Sequence, residues 1–344
     1  ASNPDPARST LLTPSQRPAD PDPLLPSDRH GLITSADAAR AGRSGTLKAL
    51  YRSGGLERVW PGVYRRTSAG GASSPARQAA AAYRDRVLAA SRRLRRPVFT
   101  SWSAAAILGL PIIGDWPREV FVLSRRRSGA RAGNVVYVAS GDAVPQICVE
   151  GITVTSVEYT LIQLARHARL GAAVVAADAA LRRMPFPGQP PPMTSLEAIR
   201  GCHEQLLPYH RSSRVQAMLL RATHLSGSPL ETVSRLTMEE LGFVLPRLQV
   251  RIHLRESGEN AYLDFHWDGA IGGEADGDSK YLGDADTAET RARLVAEKKR
   301  EDEIRRELRA FRSVPAILPI TVDPVARRSG ASGPHQARGG VRRP

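Results

Sequence analysis

Apolar and polar positions divide the 344-residue chain into two polar ends and three patterned blocks. Residues 1–28 are rich in Pro, Asp and Ser and offer little to bury, which predicts a disordered tail. Residues 326–344, with Gly, Arg, Ser and Pro and no periodicity, predict a second, basic tail. In the first block, residues 29–67, Thr34 stands three positions before Asp37 like a capping box, Gly42 stops that helix, and a second helix is predicted from Ser44 to Ser53. Leu56 to Tyr64, with Pro61-Gly62 at its centre, predicts a small hairpin. Helix, turn, helix, hairpin is the order of a winged helix.

The second block, residues 75–184, mixes helical and strand periods. Helices are predicted for Ala76 to Arg95, Ser101 to Leu110, Thr160 to His167 and the apolar Ala172 to Leu181; strands are predicted at Glu119 to Ser124, Val135 to Ala139 and Thr153 to Thr155. This predicts an α+β domain, followed by a Pro-rich linker over 185–193. The third block, residues 194–325, opens with helical text and the cap Ser228-Pro229-Leu230-Glu231. It continues through alternation from Gln249 to Leu254, an acidic hairpin, a charged helix from Thr287 to Arg309 and a last strand at Ala316 to Val322. The expected fold class is therefore α+β and multidomain.

Charge adds a partner to this picture. The 49 Lys and Arg exceed the 34 Asp and Glu, giving a formal net charge of +15. Between Gly31 and Gly133, nineteen basic residues face five acids. Arg forks match phosphate geometry, and a cationic surface gains from counterion release, so double-stranded DNA is the expected partner. A GC-rich coding sequence that uses Arg in place of Lys would also raise the count. On the predicted Ser44 to Ser53 helix, Lys48 and Arg52 share one candidate recognition face, with Arg43 at the helix start and Arg65 and Arg66 beside the hairpin as phosphate contacts. Cys148 and Cys202 are too few and too separated for a disulfide framework or a zinc site. No apolar run approaches a membrane span and the N-terminus does not read as a signal peptide, so a cytoplasmic protein is expected.

The candidate chemistry lies between Tyr262 and Tyr281, where Asp264 and then Glu274-Ala275-Asp276 fall on two short strands joined by a turn. Carboxylates that converge on a cation are how a divalent metal is held for phosphodiester cleavage. Asp264, Glu274 and Asp276 are the candidate ligands for a metal expected to be Mg2+. Glu231 or Asp276 is a further ligand or water-orienting base, and Lys280 or Lys298 the cation at the phosphate. Glu231 is explained equally well by the capping box begun at Ser228, and Asp276-Gly277 by a turn. His203, His210, His253 and His266 have no chelating context.

Two resemblances extend these readings. His30 to Gly42, closed by Arg58 to Tyr64, together with Thr100 to Pro111 and Gly151 to Arg166, resembles the AbiEi-type antitoxins of type IV toxin-antitoxin systems. That likeness covers roughly residues 30 to 183, and the family usually has Arg where this chain has Tyr159. It implies a bacterial DNA-binding transcriptional regulator with a cognate toxin as partner. Ser228 to Glu231, Leu263 to Phe265, Gly273 to Gly277 and Glu297 to Asp302 resemble the restriction-endonuclease-like superfamily, in the group akin to very-short-patch repair nucleases. This implies a C-terminal α/β nuclease fold over about residues 226 to 309. Most members carry Glu-x-Lys where this chain has Glu274-Ala275-Asp276. The sequence thus supports a regulator that also cuts DNA with a divalent metal, or a purely regulatory protein with an inactive nuclease-like domain.

Overall fold

The computed structural model describes residues 25–67, 74–124, 126, 128–141, 144–183, 190–268, 271–276, 288–308 and 310–315. Two compact units emerge, one of Ala1–Gly71 with Leu88–Arg95, the other of Ala72–Val87 with Arg96–Pro344. The expected C-terminal tail and most of the N-terminal one lie outside the described residues.

The first unit contains β1 (Leu32–Thr34), α1 (Ser35–Arg40), α2 (Ser44–Arg52), β2 (Leu56–Trp60) and β3 (Val63–Arg66). The strands form an antiparallel sheet in the order β1-β3-β2. Local chemistry sets the corners. Thr34 caps α1 by accepting the Asp37 backbone N–H at 3.0 Å, while its hydroxyl donates to the Asp37 carboxylate at 2.7 Å. The hairpin turns at Pro61-Gly62, where Gly62 has φ +74°, the conformation a type II turn requires at its third residue. The Gly62 carbonyl accepts the Ser35 N–H at 2.9 Å, tying the turn to the start of α1. Ile33, Ala38, Leu47 and Leu56 form the core. Leu25, which falls in the expected tail, is buried with them.

α3 (Pro75–Ser91) contributes residues to both units. In the second unit α4 (Ser101–Leu108), β4 (Val120–Ser124), β5 (Ala130–Ala132) and β6 (Val135–Ala139) follow, then the hairpin of β7 (Gln146–Val149) and β8 (Ile152–Thr155). β4 pairs parallel to β6, and β5 antiparallel. Next come α5 (Val157–His167), α6 (Leu170–Leu181), α7 (Leu196–Leu206), α8 (Ser212–Leu219) and α9 (Pro229–Glu240). A single apolar core joins Ala105, Leu161, Val174, Ile199, Met218 and Leu236, one from each of α4 to α9. That core therefore has members on both sides of the Pro-rich stretch expected to be a linker.

The last part is a four-stranded sheet built from β9 (Arg247–His253), β10 (Asn260–Trp267), β11 (Ile271–Asp276) and, after α10 (Ala288–Glu307), β12 (Ala310–Pro315). β9, β10 and β11 run antiparallel in succession, and β12 pairs parallel with β11 from Ile271 opposite Ala310 to Asp276 opposite Pro315. Among the described residues β12 is the last strand; the strand expected at Ala316 to Val322 falls outside them. Pro315 ends the strand, where a residue without an N–H is tolerated. Leu263 of β10 packs with Ile304 and Leu308, so α10 covers that side of the sheet. No helix among the described residues is long and apolar enough to cross a membrane.

A buried ion pair fixes α9 to α6. Asp178 is 1 % exposed and accepts hydrogen bonds from Arg235, from the Thr232 hydroxyl and from the Thr223 N–H, each at 2.8 Å. Burial pushes its carboxyl upward in pKa despite the opposing charge of Arg235. Removing one member of such a pair strands the other without compensation. Asp178→Ala is therefore expected to lower stability by about 3 kcal/mol, read as a shift in the urea unfolding curve. A loss below about 1 kcal/mol would show that the network is not what anchors α9.

Candidate functional site

The acidic residues meet where α9 approaches the sheet. Ser228 caps α9, with Pro229 in its first turn, and the Ser228 hydroxyl accepts the Glu231 N–H at 3.2 Å. The Glu231 side chain turns back to accept the Gly227 N–H at 2.7 Å through Oε2. Capping thus accounts for how Glu231 is held. It does not account for a second donor, the Gln249 side-chain amide, which reaches the same Oε2 at 3.2 Å.

Asp264 arrives from β10. Leu263 and Phe265 are fully buried, so strand alternation sends the side chain between them to the opposite side of the sheet. There the Asp264 Oδ1 accepts the same Gln249 Nε2 at 3.0 Å, and Oδ2 accepts the Ala275 N–H of β11 at 2.8 Å. One amide therefore bridges two carboxylates from different elements. Burial, and then the negative charge of Asp264, push the Glu231 carboxyl above its usual pKa.

Sequence alone does not single out Gln249. It lies within β9 at φ +49°, in the left-handed region. The β9–β10 register pairs Leu263 with Val250 and Phe265 with Leu248, which sets Gln249 opposite Asp264. Only that cross-strand register reveals it, and a single strand read alone does not contain it.

Glu274 stands on β11, one residue past the registered pair of Phe265 and Gly273. Both its oxygens lie 3.3 Å from the Arg300 guanidinium of α10. Among the described residues, the cation paired with Glu274 is thus Arg300. Lys298 is exposed, two residues away and so on another side of the helix. The helical spacing carries a usable signal, because Arg300 lies four residues before Ile304 and eight before Leu308, the two residues that pack on the sheet. Lys280 lies outside the described residues, as does the Asp276 side chain, although the Asp276 backbone closes the β11–β12 pairing. Among the described residues, no three His, Cys, Asp or Glu side chains converge as metal donors.

The basic residues of the first unit divide into two groups. Arg43, Lys48 and Arg52 are exposed on or beside α2, whose Leu47 points into the core. Arg65 and Arg66 on β3 are half-buried, and Arg65 donates to the His30 carbonyl at 3.0 Å. No protein-family model matches the chain, and no curated protein matches it in sequence.

The raised Glu231 pKa has a definite sign for stability. Burial favours the protonated acid, so the folded state loses stability as pH rises through that pKa and regains it below. Glu231→Gln removes the charge while keeping an oxygen for the Gly227 N–H. It is expected to stabilise the protein at pH 7.5 by about 1 kcal/mol, with the gain vanishing at acid pH, as followed by thermal unfolding across pH. Destabilisation at pH 7.5 would show that the ionised carboxylate contributes to the fold.

Proposed function

We propose that the chain binds double-stranded DNA through its first unit and hydrolyses a phosphodiester bond with a divalent cation at the Glu231–Asp264 site. The observation that carries the second half is the pair of carboxylates held against one another through Gln249 in a half-buried setting. Two such groups repel, and a cation between them relieves that repulsion. Oxygen donors suit a hard ion such as Mg2+, with Asp276 as the further ligand expected from the Glu-x-Asp spacing. The bound ion would lower the pKa of a water and offset charge at the scissile phosphate.

The protein groups have separate tasks in this reading. Asp264 is oriented by the Ala275 N–H and Glu231 by the Gly227 N–H, so each directs a fixed carboxylate at the site. Glu274 aims Arg300, whose guanidinium supplies the positive charge that a Glu-x-Lys motif would draw from lysine. The sheet order, with an antiparallel meander, a crossover helix and a final parallel strand, supports the nuclease-like resemblance. In the first unit, the exposed Arg43 just before α2, the exposed Lys48 and Arg52 on it, and the adjoining β2–β3 hairpin support a winged-helix contact to duplex DNA.

A second reading, a transcriptional regulator of the antitoxin type with a cognate toxin and no cutting, is favoured by the Glu274–Arg300 pair, which satisfies one candidate ligand within the protein.

Purified protein is expected to nick plasmid DNA with Mg2+, and Asp264→Ala to reduce the rate by at least about 100-fold with duplex binding retained. Cleavage that survives Asp264→Ala sinks the site; no cleavage by the wild type, with DNA binding intact, leaves the regulatory reading. Lys48→Ala with Arg52→Ala is expected to weaken duplex binding and to flatten its salt dependence by about one unit of slope for each phosphate no longer neutralised. Unchanged binding would remove α2 from the interface.

A further inference from the structure

We propose that the corner where α5 ends and α8 begins is a second phosphate-binding face, one that sets Arg166, Arg169, Arg211 and Arg214 against the backbone of duplex DNA. The inference rests on the reading that the chain binds duplex DNA. It adds a contact in the second unit and uses no residue of the acidic site.

The corner is drawn together by arginines that reach backbone oxygens. Arg211 Nη1 donates to the Arg166 carbonyl at 3.1 Å, and Arg166 Nε donates in return to the His210 carbonyl at 3.1 Å. Arg214 donates through Nε to the Ala165 carbonyl at 3.2 Å and through Nη2 to that of Ala168. Arg169 follows directly after Ala168 and is exposed at the start of α6. These bonds explain part of the cluster without a ligand, because the last carbonyls of a helix lack intrahelical partners and its negative end favours cations. That end carries only about half an elementary charge, which four guanidiniums exceed several-fold. α8 begins at the same corner with no side chain capping it, so its positive end adds to the excess.

Acids do not balance this charge. Residues 159–177 and 205–230, which carry the four arginines, contain no Asp or Glu. Elsewhere in the second unit arginines meet carboxylates, as Arg84 meets Glu150, Arg221 meets Glu239 and Arg235 meets Asp178. Among the described residues none of the four at this corner has an ion-pair partner. Arginine used merely in place of lysine would be interspersed with acids in the same way throughout. The crowding also acts on a neighbour: partial burial, and then the charges of Arg166, Arg211 and Arg214, hold His167 down at a pKa of about 4.

The backbone phosphates of a duplex fit this arrangement. A guanidinium has five N–H donors, so one or two bonds to carbonyls hold the fork still and leave further donors for an anion. Arg166 is steadied in addition over the Tyr209 ring, 5.3 Å from its centroid. Forks fixed before binding lose little side-chain entropy when a phosphate arrives. Arg169 and Arg211 are exposed, and Arg166 and Arg214 are half-buried behind them, so the group forms one surface rather than an enclosed pocket for a single small anion.

The experiment measures binding of the full chain to two unrelated duplexes of equal length across a salt series, by fluorescence anisotropy. It compares the wild type with Arg169→Ala, with Arg169→Ala combined with Arg211→Ala, and with Arg169→Lys combined with Arg211→Lys, each checked for folding by circular dichroism. The double alanine variant is expected to bind both duplexes more weakly and to lose about two units of salt slope, and Arg169→Ala about one, as counterion release requires for each phosphate no longer neutralised. The double lysine variant keeps the charge and is expected to keep the slope, which a fold defect at the corner would not allow. An unchanged slope in the double alanine variant, while Lys48→Ala with Arg52→Ala weakens binding, overturns this face alone and is also the result if the corner takes an acidic protein instead. Should the double alanine variant lose its fold, an unchanged slope in Arg169→Ala overturns it equally. A wild type that binds neither duplex overturns the DNA reading and this face with it.

Discussion

Two carboxylates on separate elements, Glu231 and Asp264, are held within reach of one amide, and that arrangement constrains everything around it. Like charges do not approach in a half-buried place unless the surrounding structure compels them. Here α9 is compelled by Asp178, whose buried pair with Arg235 and bond to Thr232 lock the helix to α6. β10 is compelled by Leu263 and Phe265, whose burial fixes which way Asp264 points. β9 yields, taking a left-handed residue at Gln249 to bring its amide between them. The strain and the repulsion are concentrated at one point, as is usual where a protein binds or reacts.

The parts legible in the sequence are those set by near neighbours. Thr34 with Asp37, Ser228 with Glu231, and Pro61-Gly62 each act within three or four residues, and each stands where the spacing predicts. The alternation around Asp264 and the charged α10 are visible for the same reason. What the sequence hides depends on distant partners. Gln249 matters because of a register with β10 fifteen residues on, and no pattern within β9 marks it. That Arg300 and not Lys298 pairs with Glu274 follows from the rotational phase of α10, which Ile304 and Leu308 set by packing on the sheet. β12 goes unpredicted because Pro315 reads as a break in the sequence, whereas it closes that strand.

The two units suggest complementary work. An exposed basic α2 suits the phosphate backbone, whose attraction is general and salt-dependent. In the proposed function, the Glu231–Asp264 pair would serve a single phosphodiester, where charge must be offset at one atom. Neither feature explains the other, and a regulator would need only the first. In the proposed function the acidic site is what would add cutting to the reading of DNA.

The most direct measurement is anomalous diffraction from crystals soaked in Mn2+. The proposed function predicts a peak between Glu231 and Asp264. A Mn2+-saturated crystal with no peak there would contradict it.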